Sequence, residues 1–553
     1  RIEASLMEKV KITFGNQTIE VDKNTSYLDI SRQTKWKDIA LAVKKNNELF
    51  PLSAKASTDE VIEFIDASSI EGAKMYKAAV KFILEVALKT VFKGSEIEYL
   101  HSVPGGMLSE IKYERILTKE DIGELKREMA SIIDENIEFK RYNILKKEAI
   151  DFYEATAYYE KAINAKTCDD ILTIYKLKDY LNYYYVAMPY ATGCIKKFEL
   201  KYLGNNRLVI LYPSNLTEGI LPEYVHHENI INAYYEGKSW LKKLNTPYTA
   251  DLNNLVSERK IKDFIESCEL HFTDSIKKVS DKIIRNNDKK FIMIAGPSSS
   301  GKTTTTRILG AYLRSKGYDP ICLSTDDYFV DRIDTPKDEY GKYDFECLNA
   351  IDTKEFNKDL MRLLKGKEIN VPTYNFVTGK REYHNNLIKL NENSIILIEG
   401  LHSLNDDLTP SIPDKYKFKI YLSPFIPLNI DRHNYISTLD LRLIRRIIRD
   451  NRTRGYSVSE VIEKWQSVRN GEEKYIFPYT HQANMIINTA LPYELGVLKV
   501  YAEPLLLSID TDSKYYEEAR RLLKFLRSFY TITSEYVSKS SILREFIGGA
   551  NND

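Results

Sequence analysis

Residues 296–303 read GPSSSGKT, which fits the pattern G-x-x-x-x-G-K-[ST]. In such a loop Gly296 and Gly301 let backbone N–H groups turn inward around an anion. The helix that follows points its positive end at phosphates. Pro297, Ser298, Ser299 and Ser300 complete the cradle, and Thr304 follows it. Lys302 is expected to reach the β- and γ-phosphates, and Thr303 to ligate Mg²⁺. Phosphoryl transfer from a bound triphosphate further requires a group to orient the acceptor and a second hold on the metal. Two acids are placed for these tasks. Asp326 follows the apolar run ICLST and Glu399 ends SIILI. Ligands of open α/β sheets bind beyond the carboxyl ends of the strands. A carboxylate there can take a proton from an acceptor hydroxyl, the role expected of Asp326. An acid at the end of a second strand is the Walker B arrangement, which gives Glu399 the metal. Arg442, Arg445, Arg446 and Arg449 recur at helical spacing, with Arg452 and Arg454 beyond them. Only Asp440 and Asp450 are near them in sequence. A lid over the triphosphate is expected, because guanidinium matches phosphate geometry.

These residues need elements to hold them. KKFIMIAG runs as a strand straight into the loop, and TTTRILGAYLRSKG leaves it with helical spacing. From Lys289 onward strands and helices alternate, which predicts an α/β domain with a parallel sheet. Between 251 and 287 the apolar residues predict one long amphipathic helix or two, serving either as a connector or as a core-facing helix of the next domain. After Asp510, YYEEARRLLKFLRSFY predicts a helical tail.

Upstream, 10–14 and 18–21 alternate apolar and polar residues around GNQ, a hairpin signal. Residues 27–43 are expected to be helical, followed by short strands and turns in LFPLSAKASTDEVIEFI. That order suggests a small α+β domain. From 72 to 92 the spacing is helical again, and mixed helices and strands follow to about 247.

The chain has 553 residues, enough for about three domains. Lys+Arg total 80 and Asp+Glu 79, so any basic site must be local. Five scattered cysteines form no CxxC pair and no disulfide framework, which fits a reducing, cytoplasmic setting. No apolar run is long enough to span a bilayer, and the N-terminus lacks the order of a signal peptide. Met7 is a candidate natural start, which would make residues 1–6 a remnant of cloning. His226, His227 and Glu228 are expected to be surface residues rather than a metal site, since adjacent side chains point in different directions.

From 289 to 510 the sequence resembles the uridine kinase family, relatives of phosphoribulokinase. LSTDDYF at 323–329 is similar to L-S-x-D-S-F-Y. FECLNAID at 345–352 is similar to F-D-H-P-D-A-F-D, and PTYNFVTGKR at 372–381 to P-x-Y-D-F-x-x-H-x-R. RLIRRIIRDNRTRG at 442–455 is similar to R-L-x-R-R-x-x-R-D-x-x-x-R-G. The resemblance implies that Asp326 deprotonates a nucleoside 5′-hydroxyl, Glu346 accepts from the ribose hydroxyls, Tyr374 contacts the base and Arg381 the nucleoside. It implies that Arg449 and Arg454 close on ATP, with Mg²⁺ as cofactor. Glu346 stands where the family has Asp, and Gly379 where it has a base-reading His, so the base is open. Family members are commonly homo-oligomers.

Residues 8–68 resemble the ubiquitin-like TGS domain of threonyl-tRNA synthetases, and 69–248 their second additional domain. Tyr76, Val80, Tyr183 and Ala187 stand where those enzymes carry His, His, Cys and His, so neither editing nor zinc is expected. A helical linker is expected at 249–288 and a helical tail at 511–553. Two functions compete: a small-molecule kinase, and an RNA-associated NTPase whose front domains bind RNA. Asp326, Tyr374 and Arg381 belong to an acceptor site, which favours the kinase. Residues 8–248 carry no Lys/Arg stripe of the kind that RNA binding needs.

Overall fold

Residues 8–286, 288–337, 341 and 343–550 are described by a computed structural model. The stretch before Met7 and Asn287 lie outside the described residues. Five strands make one sheet. They are Phe291–Ala295 (β1), Asp319–Ser324 (β2), Ser394–Glu399 (β3), Lys417–Ser423 (β4) and Met485–Asn488 (β5). The order is β2-β3-β1-β4-β5, and every pairing is parallel. β1 and β4 are buried along their full length, as expected of strands covered on both faces. The chain direction across the sheet reverses beside β1, so the loop after β1 sits at the switch point, where such folds bind ligands.

Helices cover the sheet. Ile261–Arg285 (α1) precedes it, and Lys302–Ser315 (α2) springs from the phosphate loop. Thr438–Arg454 (α3) and Val458–Tyr475 (α4) follow β4. The segment between 251 and 287 forms two helices, Thr249–Ser257 and α1, separated at Arg259, whose φ is +60°. Ile265, Cys268, Phe272, Ile276 and Val279 of α1 pack in the same core as Ile292, Leu309 and Ile420. The C-terminal segment enters that core too, through Leu522, Phe529, Ile542 and Phe546. Its helix spans Tyr516–Leu526.

In the N-terminal half the expected hairpin forms, Lys9–Phe14 with Gln17–Asp22, antiparallel. The helix expected over 27–43 is shorter, spanning only Tyr27–Arg32. Ser31 and Thr34 turn their hydroxyls onto the carbonyls of Leu28 and Ser31, and Asp38 takes a φ of +62°. Val43 then belongs to a strand, Ala42–Lys45, opposite Phe50 and Phe64. The helix Ile70–Val91 is buried for most of its length. It shares a core with a four-stranded antiparallel sheet formed by Glu96–Val103, Gly106–Lys112, Glu199–Gly204 and Arg207–Leu211.

The two halves are joined by more than the chain. After β4 a small hairpin, Asn429–Asp431 with Asn434–Tyr435, projects into the N-terminal half. Tyr99 N donates to Arg432 O at 2.9 Å, and Asn429 Nδ2 to Tyr99 O at 2.9 Å. Arg432 pairs with the fully buried Glu160 at 2.7 Å. Lys161 lies 2.9 Å from His433 Nδ1, which burial and the surrounding lysines hold well below its ordinary pKa. Removing polar groups from water in this way is tolerable because most of them meet a partner, Asn429 Oδ1 and His433 Nε2 being the exceptions.

Candidate active site

The phosphate loop is gripped from beneath. Arg442 Nε donates to Ser298 O at 2.8 Å, Arg445 Nη1 to Ser299 O at 3.3 Å, and Thr489 Oγ1 to Ser300 O at 2.6 Å. With three successive carbonyls drawn toward the protein, the loop is held open on its other face for an anion. The hydroxyls of Ser299 and Ser300 are buried without a hydrogen-bond partner, which suits a site awaiting acceptors. Lys302 Nζ folds back onto Gly296 O at 2.9 Å and Pro297 O at 3.3 Å.

The structure corrects the expectation for two of the arginines. Arg442 and Arg445 are buried to 1% and 0% exposure and do not form a lid. Arg442 pairs with Glu472 of α4, and Arg445 forks onto Glu494 at 2.7 and 2.9 Å. Both acids come from beyond α3 in sequence, so counting only neighbouring acids missed them. Of the remaining four, Arg452 donates to Phe546 O and Glu545 O, and the other three gather on Asp450, itself fully buried. Arg446 lies 3.2 Å from it, Arg449 2.8 Å and Arg454 3.6 Å. Arg446 also donates to Ser298 Oγ at 3.0 Å, which puts this end of α3 beside the loop.

Three carboxyls lie near enough to Lys302 to feel its charge, though among the described residues none is ion-paired with it. Asp326 follows β2 and is reachable by solvent, yet the protein crowded around it raises its pKa, while Lys302, Arg454 and Arg449 pull it back. Glu399 ends β3, where burial pushes it up to about 7. Glu346 is pushed up to about 7 by burial and by Glu472. Gly400 makes the approach of β2 and β3 ends possible. A Cβ there would lie 1.8 Å from Thr325 Oγ1, next to Asp326. Thr303 Oγ1 donates to Glu399 Oε1 at 3.1 Å. Hydroxyl and carboxylate oxygens suit Mg²⁺, which is commonly held by one or two protein oxygens together with substrate phosphates. Among the described residues no cluster of three His, Cys, Asp or Glu is arranged for a metal. His226 instead bridges Tyr224 and Glu228 on the surface, at 2.7 Å to each.

Beside Asp327, the neighbour of Asp326, stands a cluster of aromatic rings. Tyr374 meets Phe329 and Phe376 edge-on, with ring centroids 5.4 and 5.1 Å away. Its backbone N donates to Asp327 Oδ1 at 3.3 Å. Arg381, on the strand paired with that of Tyr374, is engaged by Asp352 at 3.1 Å. Gly379 turns the hairpin between them with φ +69°, and a Cβ there would lie 2.8 Å from Arg332. No histidine could stand at that turn without moving Arg332, which holds Phe376 O and Gly379 O.

One contact had no signal in the sequence. Glu545, near the C-terminus, accepts from Thr304 Oγ1 at 2.8 Å, and Ile542 packs against Gly301. The carboxylate lies next to the triphosphate loop and adds to the raised pKa of Glu399. Replacing Glu545 by Gln is expected to lower the KM for ATP by about two- to fivefold, since a nearby like charge is removed. Initial rates against ATP concentration check this, and an unchanged or higher KM contradicts it.

The phosphoribulokinase/uridine kinase family model matches residues 291–492. The uridine kinase of Ligilactobacillus salivarius (strain UCC118) is 32% identical over 204 residues, covering 37% of this chain and 86% of that relative. The chain belongs to the phosphoribulokinase/uridine kinase family. The uridine kinase of Bacillus pumilus (strain SAFR-032) is 30% identical over 197 residues, covering 35% of this chain and 84% of that enzyme. A solved structure described as a possible uridine kinase from Bacillus stearothermophilus aligns with a TM-score of 0.23 and 23% identity. That alignment covers 27% of this chain and 79% of the other. Family membership makes the C-terminal region an ATP-dependent phosphotransferase. No helix among the described residues is long and apolar enough to cross a membrane.

Proposed function

We propose that this enzyme transfers the γ-phosphate of ATP to the 5′-hydroxyl of a nucleoside of the uridine or cytidine kind, its base left open by Gly379. The observation that carries the proposal is that Asp326, Glu346 and Glu399 all lie within electrostatic reach of Lys302, with Thr303 on Glu399 and the backbone of Tyr374 on Asp327 beside them. The relatives named as uridine kinases support the acceptor class. In this reading Asp326 accepts the hydroxyl proton, its raised pKa bringing it closer to a working base. Glu346 accepts from the sugar hydroxyls, and the rings of Phe329, Tyr374 and Phe376 receive the base. Lys302 holds the β- and γ-phosphates, and Arg449 and Arg454 leave Asp450 to close over them. Thr303 and Glu399 would hold Mg²⁺, which neutralises charge developing on the phosphates.

The N-terminal half we assign to a TGS-like unit at 8–68 and a synthetase-like unit at 69–248. The hairpin, short helix and small sheets of the first support this. Tyr76 uses its hydroxyl on the backbone of Lys196 and Lys197, and Tyr183 is buried, so neither offers editing chemistry.

A panel of nucleosides, deoxynucleosides, pantothenate and ribulose 5-phosphate, read by ADP release, tests the proposal. Acceleration by ribonucleosides supports it. ATP turnover that responds to RNA and to no small alcohol rejects it. The pH dependence adds a second check. Glu346 must be ionised to accept well, and its folded-state pKa of about 7 lies above the usual 4.5. The acceptor KM should therefore rise several-fold as pH falls from about 8 to about 6. Glu346→Gln should flatten that profile, and a wild-type KM that stays flat counts against the role.

A further inference from the structure

A cavity of about 650 Å³ lies between the N-terminal half and the kinase region, behind the phosphate loop. It is distinct from the site of Asp326, Glu346 and Glu399, none of which lines it. One wall is the helix Ile70–Val91, and the facing wall comes from α3 and α4. Most cations along it are paired: Lys74 with Glu518 at 2.7 Å, Arg521 with Asp440 at 2.6 Å, Lys44 with Glu71 at 2.9 Å.

Two are not so matched, and a third is paired only at the limit of contact. Lys77 and Lys81, one helical turn apart, have no carboxylate within 4.0 Å among the described residues. Lys77 reaches only the Tyr435 hydroxyl, at 3.2 Å. Lys81 is 5% exposed, donates to His433 O, and lies 4.7 Å from the centre of the Tyr99 ring and 5.2 Å from that of Tyr184. From the opposite wall comes Arg469, whose nearest carboxylate, Glu473, is 3.9 Å away. The cavity also holds His101, whose Nδ1 is buried without a partner. Burial of Lys81, with Lys77 beside it, pushes its pKa down to about 7. Burying cations without counter-charges is costly. A chain that keeps a buried Lys81, a half-buried Lys77 and the loosely paired Arg469 facing one hollow gains if an anion enters.

We propose that this cavity is a second binding site, taking a ring-bearing organic anion whose charged group meets Lys77, Lys81 and Arg469 and whose ring lies among the tyrosines. Its volume falls in the range of small-molecule sites, about 300–1,000 Å³, and its lining sets aromatic rings beside charged groups of both signs, most of the acids being engaged by the paired cations. The site differs from the triphosphate loop in offering side-chain cations on aromatic faces rather than backbone N–H groups.

The test uses the full chain and 1-anilinonaphthalene-8-sulfonate, which carries both a ring system and one negative charge. We expect one saturable fluorescent site per chain, undisturbed by Mg²⁺ and a non-hydrolysable ATP analogue. Lys77→Met and Arg469→Met, from opposite walls, should each weaken it about tenfold or more, with unchanged melting temperature. Lys302→Ala should leave it unchanged. Two variants guard against one failing to fold, and Lys77→Met tests a side chain whose only hydrogen bond among the described residues is to Tyr435. Displacement by the ATP analogue, or full affinity in whichever variant folds, overturns the proposal.

Discussion

Asp326→Asn is expected to lower kcat by about a hundred- to ten-thousandfold, the range for losing a general base, with KM for ATP nearly unchanged. The amide keeps the shape of the carboxyl and can still contact a hydroxyl, but it cannot accept the proton. Stability should hold or rise slightly. The folded-state pKa of Asp326 is raised, so its ionised form is disfavoured by folding, and above that pKa the wild type carries the cost. Single-turnover phosphoryl transfer and a thermal melt check the two halves together. Loss of activity with a large drop in melting temperature would make Asp326 a structural residue. Activity within about threefold of wild type would remove it from the chemistry.

Glu494→Gln should destabilise the kinase region by about 3–5 kcal/mol, the cost of leaving a buried guanidinium without its carboxylate. For a region of roughly 200 residues that is a fall of about 6–20 °C in melting temperature. Arg445 is fully buried, and Glu494 meets it at 2.7 and 2.9 Å while also accepting from Leu491 N. Replacing both, as Arg445→Met with Glu494→Met, should restore much of the stability, since a buried pair exchanged for apolar groups is often neutral. It should not restore catalysis, because Ser299 O then loses its donor and the loop is no longer held open. Urea denaturation and initial rates measured on both variants separate the two effects. If Glu494→Gln stays within about 1 kcal/mol of wild type, the pair is not what holds the loop.

Much of this was legible before any coordinates. GPSSSGKT, a preceding apolar strand and a following helix are local, and their meaning is local as well. Asp326 and Glu399 could be placed because each lies at or just past the end of an apolar run that forms a parallel strand. The partners of the arginines could not. Glu472 and Glu494 lie 30 and 49 residues from Arg442 and Arg445, and nothing in periodicity connects them. The helix expected over 27–43 failed for a related reason. Apolar spacing continued, but Ser31 and Thr34 spent their hydroxyls on nearby carbonyls, and Val43 was claimed by strands from 48–50 and 63–65. Gly379 read as a lost contact in sequence. In three dimensions it is a turn with a left-handed backbone, where the wider side chain has no room.

The contact of Ile542 and Glu545 with the phosphate loop bears on the order in which this enzyme can be made. Synthesis proceeds from the N-terminus, and domains generally fold as they emerge. A ribosome-bound chain that has released 291–423 already holds the four strands β1 to β4 and the nucleotide loop itself. It lacks α3 and its arginines, then β5 with Thr489 and Glu494, and last the segment that covers Gly301 and Thr304. Catalytic competence thus waits until residues 542–545 have emerged, and a message cut short after 510 leaves out both the outer wall of the triphosphate site and part of the core beneath the sheet.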